Sequence, residues 1–237
     1  MDKEKVLGFD VISYDSERLI DNIFEDYSNN KQLFIVNINP EIIVSNYKDE
    51  QVKNIFNAQK YQIPDGSGIV WASKKKDGKI KERITGIDLM QKICEESQKY
   101  NSKIYLYGGK KGIAEKAKEE LKKQYTNINV VGTLDGYSDE KEAIEDIKNK
   151  EPDIIFVGIG SPKQEEFIIK NKDKLKSAKI LMPVGGSFDV ISKTKKRAPK
   201  WMINYNIEWL YRLLKEPQRI IRQVKLFKYM FLIIKNK

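Results

Sequence analysis

Short apolar runs alternate with longer segments of helical periodicity between Gln32 and about Pro183. The short runs are rich in β-branched and aromatic residues, which favour strands, and the longer segments repeat apolar residues as amphipathic helices do. The predicted strands are residues 33–38, 103–107, 128–132, 153–158 and 179–184. Strands that alternate with helices in this way predict an α/β fold built on a largely parallel sheet.

Several of these strands end in glycine and run directly into a predicted helix. The glycines are Gly108 and Gly109, Gly158 and Gly160, and Gly185 and Gly186. In open α/β sheets, ligands bind beyond the carboxyl ends of the strands, where helix N-termini direct N–H groups at anions. The turns therefore predict an edge that binds phosphate, although glycine is also common wherever a turn needs backbone freedom. Lys163 occupies the third glycine position of the dinucleotide fingerprint and no Walker A sequence is present, so NAD binding and ATP hydrolysis lack support.

Asp65 stands out in the segment 61–72, because it lies in a Pro-Asp-Gly turn immediately before an apolar run of helical periodicity. Aspartate is favoured in such turns by its local hydrogen bonding, which is the structural explanation. The functional explanation is a carboxylate that is presented at the edge of a site as a general base. The residues alone leave both explanations open.

Two short motifs have the composition of helix N-termini. Thr85 and Asp88 can cap a helix that runs to about Tyr100. In SPKQE (161–165), Ser161 is the predicted N-cap, with proline at the first helical position and glutamine completing a capping box. Local structure therefore explains both motifs without a functional role.

The pattern changes after Pro199 to two predicted helices that meet near Pro217, where proline would break or kink a continuous helix. Four basic residues at spacings of three and four would form one stripe if the helices run nearly in line. They are Arg212, Lys215, Arg219 and Arg222. The apolar run 227–234 is too short to span a bilayer but long enough to lie in its interface.

The charge distribution separates this C-terminal part from the rest of the chain. Of 44 Lys and Arg residues and 34 Asp and Glu residues, the segment from Lys193 onward holds 13 and 2, a net charge of +11 that leaves residues 1–192 at −1. A basic, aromatic and apolar tail on a near-neutral body predicts an anionic partner: a membrane, a lipid diphosphate or a nucleic acid. A solvated, lysine-rich terminal helix is the alternative.

The chain has no histidine and a single cysteine, Cys94, which limits its chemistry. No Ser-His-Asp triad, Cys-His pair or histidine metal site can form, so an acid or base must be a carboxylate, lysine, tyrosine or cysteine. The lone cysteine, the absence of a signal sequence and the lack of about 18 consecutive apolar residues predict a cytoplasmic protein. We expect it to be neither exported nor integral to a membrane.

Eight sequence blocks occur in a fixed order between Asn37 and Gln223. They are NPEI (39–42), IPDGSGIVWA (63–72), ERITGIDLM (82–90), YGGKKGIAEKA (107–117), GTLDGY (132–137), VGIGSPKQE (157–165), VGGSFDVISKTKKRAPKWM (184–202) and EWLYRLLKEPQRIIRQ (208–223). In this order they resemble the WecG/TagA/CpsF family of bacterial glycosyltransferases. The resemblance implies an inverting, membrane-associated enzyme with a Rossmann-like core, here residues 1–198. It also implies a helical appendage, residues 199–237, which docks on the membrane and completes the site.

The resemblance further implies an acceptor at the inner face of the cytoplasmic membrane, undecaprenyl-diphosphate-linked N-acetylglucosamine. The TagA branch, which this chain resembles most, uses UDP-N-acetylmannosamine and makes the linkage unit of wall teichoic acid. Other branches use N-acetylmannosaminuronic acid, glucose or galactose for other surface polymers, including capsule and exopolysaccharide. The sequence does not fix the donor sugar or the linkage, and it leaves a homo-oligomer open.

Individual residues match the family pattern. Asp65 matches the proposed catalytic base, and Asn39, Arg83 and Gln164 match polar residues of the pocket. Asn37, also expected at the substrate, stands where TagA-like proteins are expected to carry threonine, which bears on sugar selection. Nucleotide contacts are expected from Gly108, Gly109, Tyr137, Gly158, Gly160, Gly185, Gly186 and Asp189, and contacts with the lipid diphosphate from Arg212, Arg219 and Arg222. No Asp-x-Asp tripeptide occurs, so we expect the donor diphosphate to be held without a metal ion or another cofactor.

A different class of function stays open at this point. The aromatic residues of the basic tail could stack on the bases of a nucleic acid, but they are equally typical of helix packing and of anchoring at a membrane interface. Binding to anionic liposomes or to oligonucleotides at matched salt distinguishes these two functions. A nucleotide-dependent oxidoreductase is disfavoured by the missing dinucleotide fingerprint.

Overall fold

The structure is a computed structural model, and it describes residues 2–205, 207–217 and 220–236. The strands are β1 (Lys3–Val6), β2 (Phe9–Ile12), β3 (Leu33–Ile38), β4 (Tyr61–Pro64), β5 (Lys103–Gly108), β6 (Asn129–Leu134), β7 (Ile154–Gly158) and β8 (Ile180–Pro183). The α-helices are α1 (Ser16–Ser28), α2 (Pro40–Asn46), α3 (Glu50–Asn57), α4 (Ser67–Lys75), α5 (Gly86–Ser97), α6 (Ile113–Gln124), α7 (Glu140–Lys150), α8 (Lys163–Asn171), α9 (Ser187–Ile191), α10 (Lys200–Asn204), α11 (Glu208–Lys215) and α12 (Ile220–Lys235).

Six strands form one parallel sheet in the order β4-β3-β8-β7-β5-β6. All five predicted strands are present, which confirms the α/β fold with a parallel sheet. Three further strands were not predicted. β4 adds an edge to the sheet, and β1 and β2 form a separate antiparallel hairpin.

Helices cover both faces of the sheet. Alternate residues of each strand point to opposite faces, so Leu33 and Ile35 join one core cluster while Phe34 and Val36 join the other. Buried side chains of α1, α5, α6 and α9 pack in the first cluster. Those of α2, α3, α4, α7, α8 and α12 pack in the second. The parallel sheet therefore lies between two layers of helices, as in a Rossmann-like fold.

The predicted helix starts have different outcomes. Thr85 caps α5, and its side chain accepts from the N–H of Asp88, as predicted. The capping box at SPKQE was wrong, because α8 begins at Lys163, one residue later than predicted, and has no side-chain cap. The Gln164 amide contacts Gly185 and Glu165 instead of reaching back to the helix start.

The described residues of the C-terminal segment form three helices rather than the two predicted. The break near Pro217 is confirmed, since α11 ends at Lys215 and α12 begins at Ile220. α12 packs against α2 and α4 and buries Tyr229, Leu232 and Ile233 in the second core cluster. The division at residue 199 stays a prediction, but α12 shares its core with the preceding domain. Of the helices that the structure describes, none is both long enough and apolar enough to cross a membrane.

Candidate functional site

A cavity of about 730 Å³ opens at the carboxyl ends of β3, β4, β7 and β8. The helices that follow β3 and β7 cover one face of the sheet, whereas α9, which follows β8, covers the other. Neighbouring strands that send the chain to opposite faces leave a crevice between them, and ligands of open α/β proteins bind there. The fold therefore places this cavity where the sequence predicted a binding edge.

Asp65 lies on the cavity wall, in the turn between β4 and α4. Its backbone N–H donates to the carbonyl of Ile38 at 2.8 Å, which fixes the turn to the end of β3. Gly66 follows with a φ of +103°, a conformation that favours glycine, and the chain then enters α4. The turn thus holds a half-buried aspartate at the cavity, and its role as base stays a prediction.

Asn37 and Asn39 also line the cavity, but their side chains are held differently. The Asn37 amide nitrogen donates to the carbonyl of Pro183 at 2.9 Å, while its buried oxygen has no partner within the described chain. The Asn39 oxygen caps α2 by accepting from the N–H of Ile42 at 2.9 Å. The Asn39 side chain therefore stabilises the start of α2, whereas the Asn37 amide oxygen can accept a hydrogen bond from a ligand.

Arg83 lines the cavity and connects it to the C-terminal helices. Its guanidinium donates to the Glu208 carboxylate at 2.7 Å, and the Glu208 side chain is almost completely buried. Tyr211, Lys215 and Glu216 complete this part of the wall. Residues after 199 thus line part of the cavity, and the role of this segment in completing the active site stays a prediction.

Gln164 links the turns that follow β7 and β8. Its amide oxygen accepts from the N–H of Gly185 at 3.0 Å, and its amide nitrogen donates to the Glu165 carboxyl at 2.8 Å. The side chain is 4% exposed. Gln164 lines the cavity, but in this structure both ends of its amide hold protein groups in place.

The glycine turns after β7 and β8 bring five predicted nucleotide-binding residues to the cavity, namely Gly158, Gly160, Gly185, Gly186 and Asp189. The two turns approach each other so closely that a Cβ on Gly158 would lie 2.8 Å from the Gly185 carbonyl oxygen. Gly160 has a φ of +85°, which also favours glycine. Glycine is therefore needed here for close approach and for backbone conformation.

The other three predicted nucleotide-binding residues do not line this cavity. Gly108 and Gly109 lie at the end of β5, where the Gly109 N–H donates to the Gly158 carbonyl at 3.0 Å. Tyr137 follows β6 and is 79% exposed. The structure therefore places them at the same edge of the sheet but beyond the cavity wall.

A basic loop after α9 contributes residues that the sequence had not assigned. Lys195, Lys196 and Arg197 line the cavity. Arg197 forms a two-pronged ion pair with Asp88, at 2.6 and 2.8 Å. Burial alone would raise the pKa of Asp88, but Arg197 and Thr85 outweigh it and lower that pKa below its ordinary value. The positive charge of the run KTKKRAP indicated an anionic partner. It did not indicate that these residues would line the cavity.

The three arginines expected at the lipid diphosphate fall largely outside the structural description. The backbone of Arg212 lies in α11 and that of Arg222 in α12, whereas their side chains and all of Arg219 lie outside the described residues. Within residues 2–205, 207–217 and 220–236, no group of three or more Cys, Asp and Glu residues is placed to hold a metal ion.

Comparison with known proteins finds similarity along the whole chain. The model of the Glycosyl transferase WecG/TagA/CpsF family matches residues 4–237. A Bacillus subtilis protein named N-acetylglucosaminyldiphosphoundecaprenol N-acetyl-beta-D-mannosaminyltransferase is 31% identical, with 100% of this chain and 93% of that protein aligned. Proteins of the same name are 34% identical in Bacillus spizizenii, over 88% of this chain and 81% of that protein, and in Staphylococcus aureus, over 99% and 93%.

Proposed function

The chain belongs to the WecG/TagA/CpsF family of glycosyl transferases, and from this membership we propose that it transfers N-acetylmannosamine from UDP-N-acetylmannosamine to undecaprenyl-diphosphate-linked N-acetylglucosamine. The observation that carries the proposal is similarity over the full chain to relatives named for this mannosaminyl transfer. The product would be the linkage unit of wall teichoic acid. A second candidate is the same reaction with another UDP-sugar. It is favoured by Asn37, which lines the cavity with an unpaired amide oxygen at a position where TagA-like proteins are expected to carry threonine.

The proposed mechanism is an inverting displacement. The acceptor hydroxyl attacks the anomeric carbon of the donor sugar, the bond from that carbon to the diphosphate oxygen breaks, and Asp65 takes the hydroxyl proton. Arg83 and the backbone N–H groups of Gly160 and Gly186 would stabilise the charge that develops on the departing UDP. The proposal requires no metal ion, since these cationic and N–H groups supply the stabilisation.

The C-terminal helices support a second part of the proposal, peripheral attachment to the inner face of the cytoplasmic membrane. One face of α12 packs in the core, while Phe227, Phe231 and Ile234 of the same helix are exposed. Lys228 and Lys235 are exposed beside them. Apolar side chains flanked by lysine suit an anionic bilayer surface better than water. Arg212, Arg219 and Arg222 remain the residues proposed to bind the acceptor's diphosphate.

The donor prediction is tested with a soluble lipid-diphosphate-N-acetylglucosamine analogue and a panel of UDP-sugars in excess EDTA. We expect UDP release and a product heavier by one N-acetylhexosamine with UDP-N-acetylmannosamine. Omitting the acceptor distinguishes transfer from hydrolysis of the donor. A product only from a uronic acid or hexose donor would keep the reaction class and change the sugar. Activity that EDTA removes and Mg²⁺ or Mn²⁺ restores would contradict the metal-free mechanism.

The membrane prediction is tested by Phe231→Glu, which places a charge on the exposed face of α12. We expect binding to anionic liposomes to weaken by about tenfold or more, because an apolar contact is lost and a repelled charge is added. The control, Asn149→Glu, adds the same charge on the exposed surface of α7 and should change binding little. Equal binding by both variants would remove this face from the interface. Tighter binding to oligonucleotides than to liposomes at matched salt would support the nucleic-acid alternative.

A further inference from the structure

Buried polar atoms without hydrogen-bond partners are concentrated around the cavity. Six side-chain atoms of this kind occur among the described residues, and four belong to residues that line the cavity. The four are Asn37 Oδ1, Arg83 Nε, Glu165 Oε2 and Arg197 Nε. Buried polar groups are nearly always paired in folded proteins, so this concentration indicates groups whose partners come with a ligand.

Like Arg197, Glu165 belongs to this set without having a role in the proposed mechanism, and it is the only carboxyl group among the four. It lies in the first turn of α8, lines the cavity and is only 4% exposed. Its Oε1 accepts from the Gln164 amide at 2.8 Å, which fixes the carboxyl group, while Oε2 has no partner within the described chain. The side chain is thus rigidly held, with one oxygen available for a further hydrogen bond.

No lysine or arginine of the described chain lies within ion-pair distance of the Glu165 carboxyl. Three basic residues that line the cavity are paired with other carboxylates: Arg83 with Glu208, Lys195 with Glu216 and Arg197 with Asp88. An ionised carboxylate that is buried without a cation is strongly disfavoured. The surroundings of Glu165 therefore favour its protonated, neutral form.

The pKa of Glu165 also favours the neutral form. Burial raises the pKa of its carboxyl group, and the negative charge of Glu166 adds to the effect. The nearby polar groups of Gln164, Ser161 and the backbone oppose the rise but do not cancel it. A carboxylic acid that is kept neutral in this way can act as a hydrogen-bond donor to substrate.

We infer that Glu165 binds the donor's diphosphate as a neutral acid, with its O–H group donating to a phosphate oxygen. The inference rests on the proposed function, since it assigns a role within that transfer. Glu165 follows the Gly158–Ser161 turn at the start of a helix whose N-terminal N–H groups favour an anion, and an ionised carboxylate would repel it.

The chemistry of the step balances. As the bond between the anomeric carbon and the diphosphate oxygen breaks, its electron pair and negative charge go to the departing UDP. The Glu165 O–H hydrogen bond strengthens as that charge grows, and the proton stays on Glu165. The acceptor hydroxyl loses its own proton to Asp65 as the new glycosidic bond forms.

Two substitutions of Glu165 distinguish a neutral hydrogen-bond donor from an ionised carboxylate and from a residue without a role in UDP binding. Glu165→Gln keeps the shape, the neutral charge and a donor at the position of Oε2, so UDP affinity and turnover should stay within about threefold of wild type. Glu165→Ala removes the donor and should weaken UDP binding and turnover by about tenfold to a hundredfold. UDP binding is measured by calorimetry, turnover by UDP release, and thermal unfolding of each variant checks that it folds.

The pH dependence provides an independent readout. Wild-type UDP affinity should fall, relative to Glu165→Gln, as the pH rises through the Glu165 pKa, because the ionised carboxylate repels the diphosphate. The charged groups around the cavity include Asp65, Arg83, Asp189, Lys195, Lys196 and Arg197. These groups and the phosphate are common to both proteins, so the ratio of affinities isolates Glu165.

The outcomes distinguish this inference from the proposed function. Loss of UDP binding in Glu165→Gln as large as in Glu165→Ala would mean that an ionised carboxylate is required, and would overturn the inference. Wild-type affinity in both variants would overturn it as well. If wild type binds UDP but transfers no sugar from any donor, the proposed function fails, while the UDP-binding comparison still tests Glu165.

Discussion

Replacement of Asp65 by asparagine is expected to lower turnover at least about a hundredfold while UDP binding and folding are preserved. Asparagine has almost the same shape as aspartate but cannot take up the acceptor's proton, and general base catalysis contributes about 10²–10⁴ in rate. The turn itself should persist, because its fixed contact is made by the backbone N–H of residue 65 with Ile38. The effect should therefore appear in kcat, with little change in UDP affinity.

The matched control is Asp77→Asn, the same chemical change just beyond the opposite end of α4. Asp77 is exposed and has a φ of +50°, a conformation that asparagine also adopts, so the variant should behave as wild type. Turnover of both variants is measured by UDP release under saturating substrates, with calorimetry for UDP binding. Near-normal turnover of Asp65→Asn would remove Asp65 from the mechanism.

The sheet could be predicted from the sequence because its central strands are buried on both faces and read as continuous apolar runs. The missed strands have weaker signals. β4 is only Tyr61–Pro64 and ends in proline, and β1 and β2 contain four residues each. Such short strands are stabilised by their neighbours in the fold, and local composition reflects that only weakly.

The edge of the sheet that carries the cavity was also predictable, since the carboxyl ends of parallel strands meet there. The side-chain pairs within it were not. Arg83 and Glu208 are 125 residues apart, and no local pattern indicates that they meet. The burial of Glu165 is equally a property of the folded structure, because its partner Gln164 is fixed by the turn after β8. Sequence therefore located the binding edge, and the structure supplied the contacts.

The C-terminal helix illustrates a further limit of periodicity. The run 227–234 is apolar on nearly all sides, so its sequence does not show which side chains pack inward. In the structure, Tyr229 is fully buried and its hydroxyl donates to the Gly68 carbonyl at 3.2 Å. Burial raises the pKa of Tyr229, so the hydroxyl keeps its proton for this bond. Gly68 lies in the first turn of α4, directly after the Asp65 turn, and α12 therefore packs behind the candidate catalytic residue.

Tyr229→Ala is accordingly expected to lower the free energy of unfolding by about 3–5 kcal/mol, the usual effect of truncating a large buried aromatic side chain. This is a large share of a typical total of about 5–15 kcal/mol. The control, Phe227→Ala, changes a residue of the same helix that is 70% exposed and should alter stability by at most about 0.5 kcal/mol. Both values are measured by urea denaturation. A loss below about 1 kcal/mol in Tyr229→Ala would mean that α12 is not docked in solution, because a detached helix would not register the missing side chain.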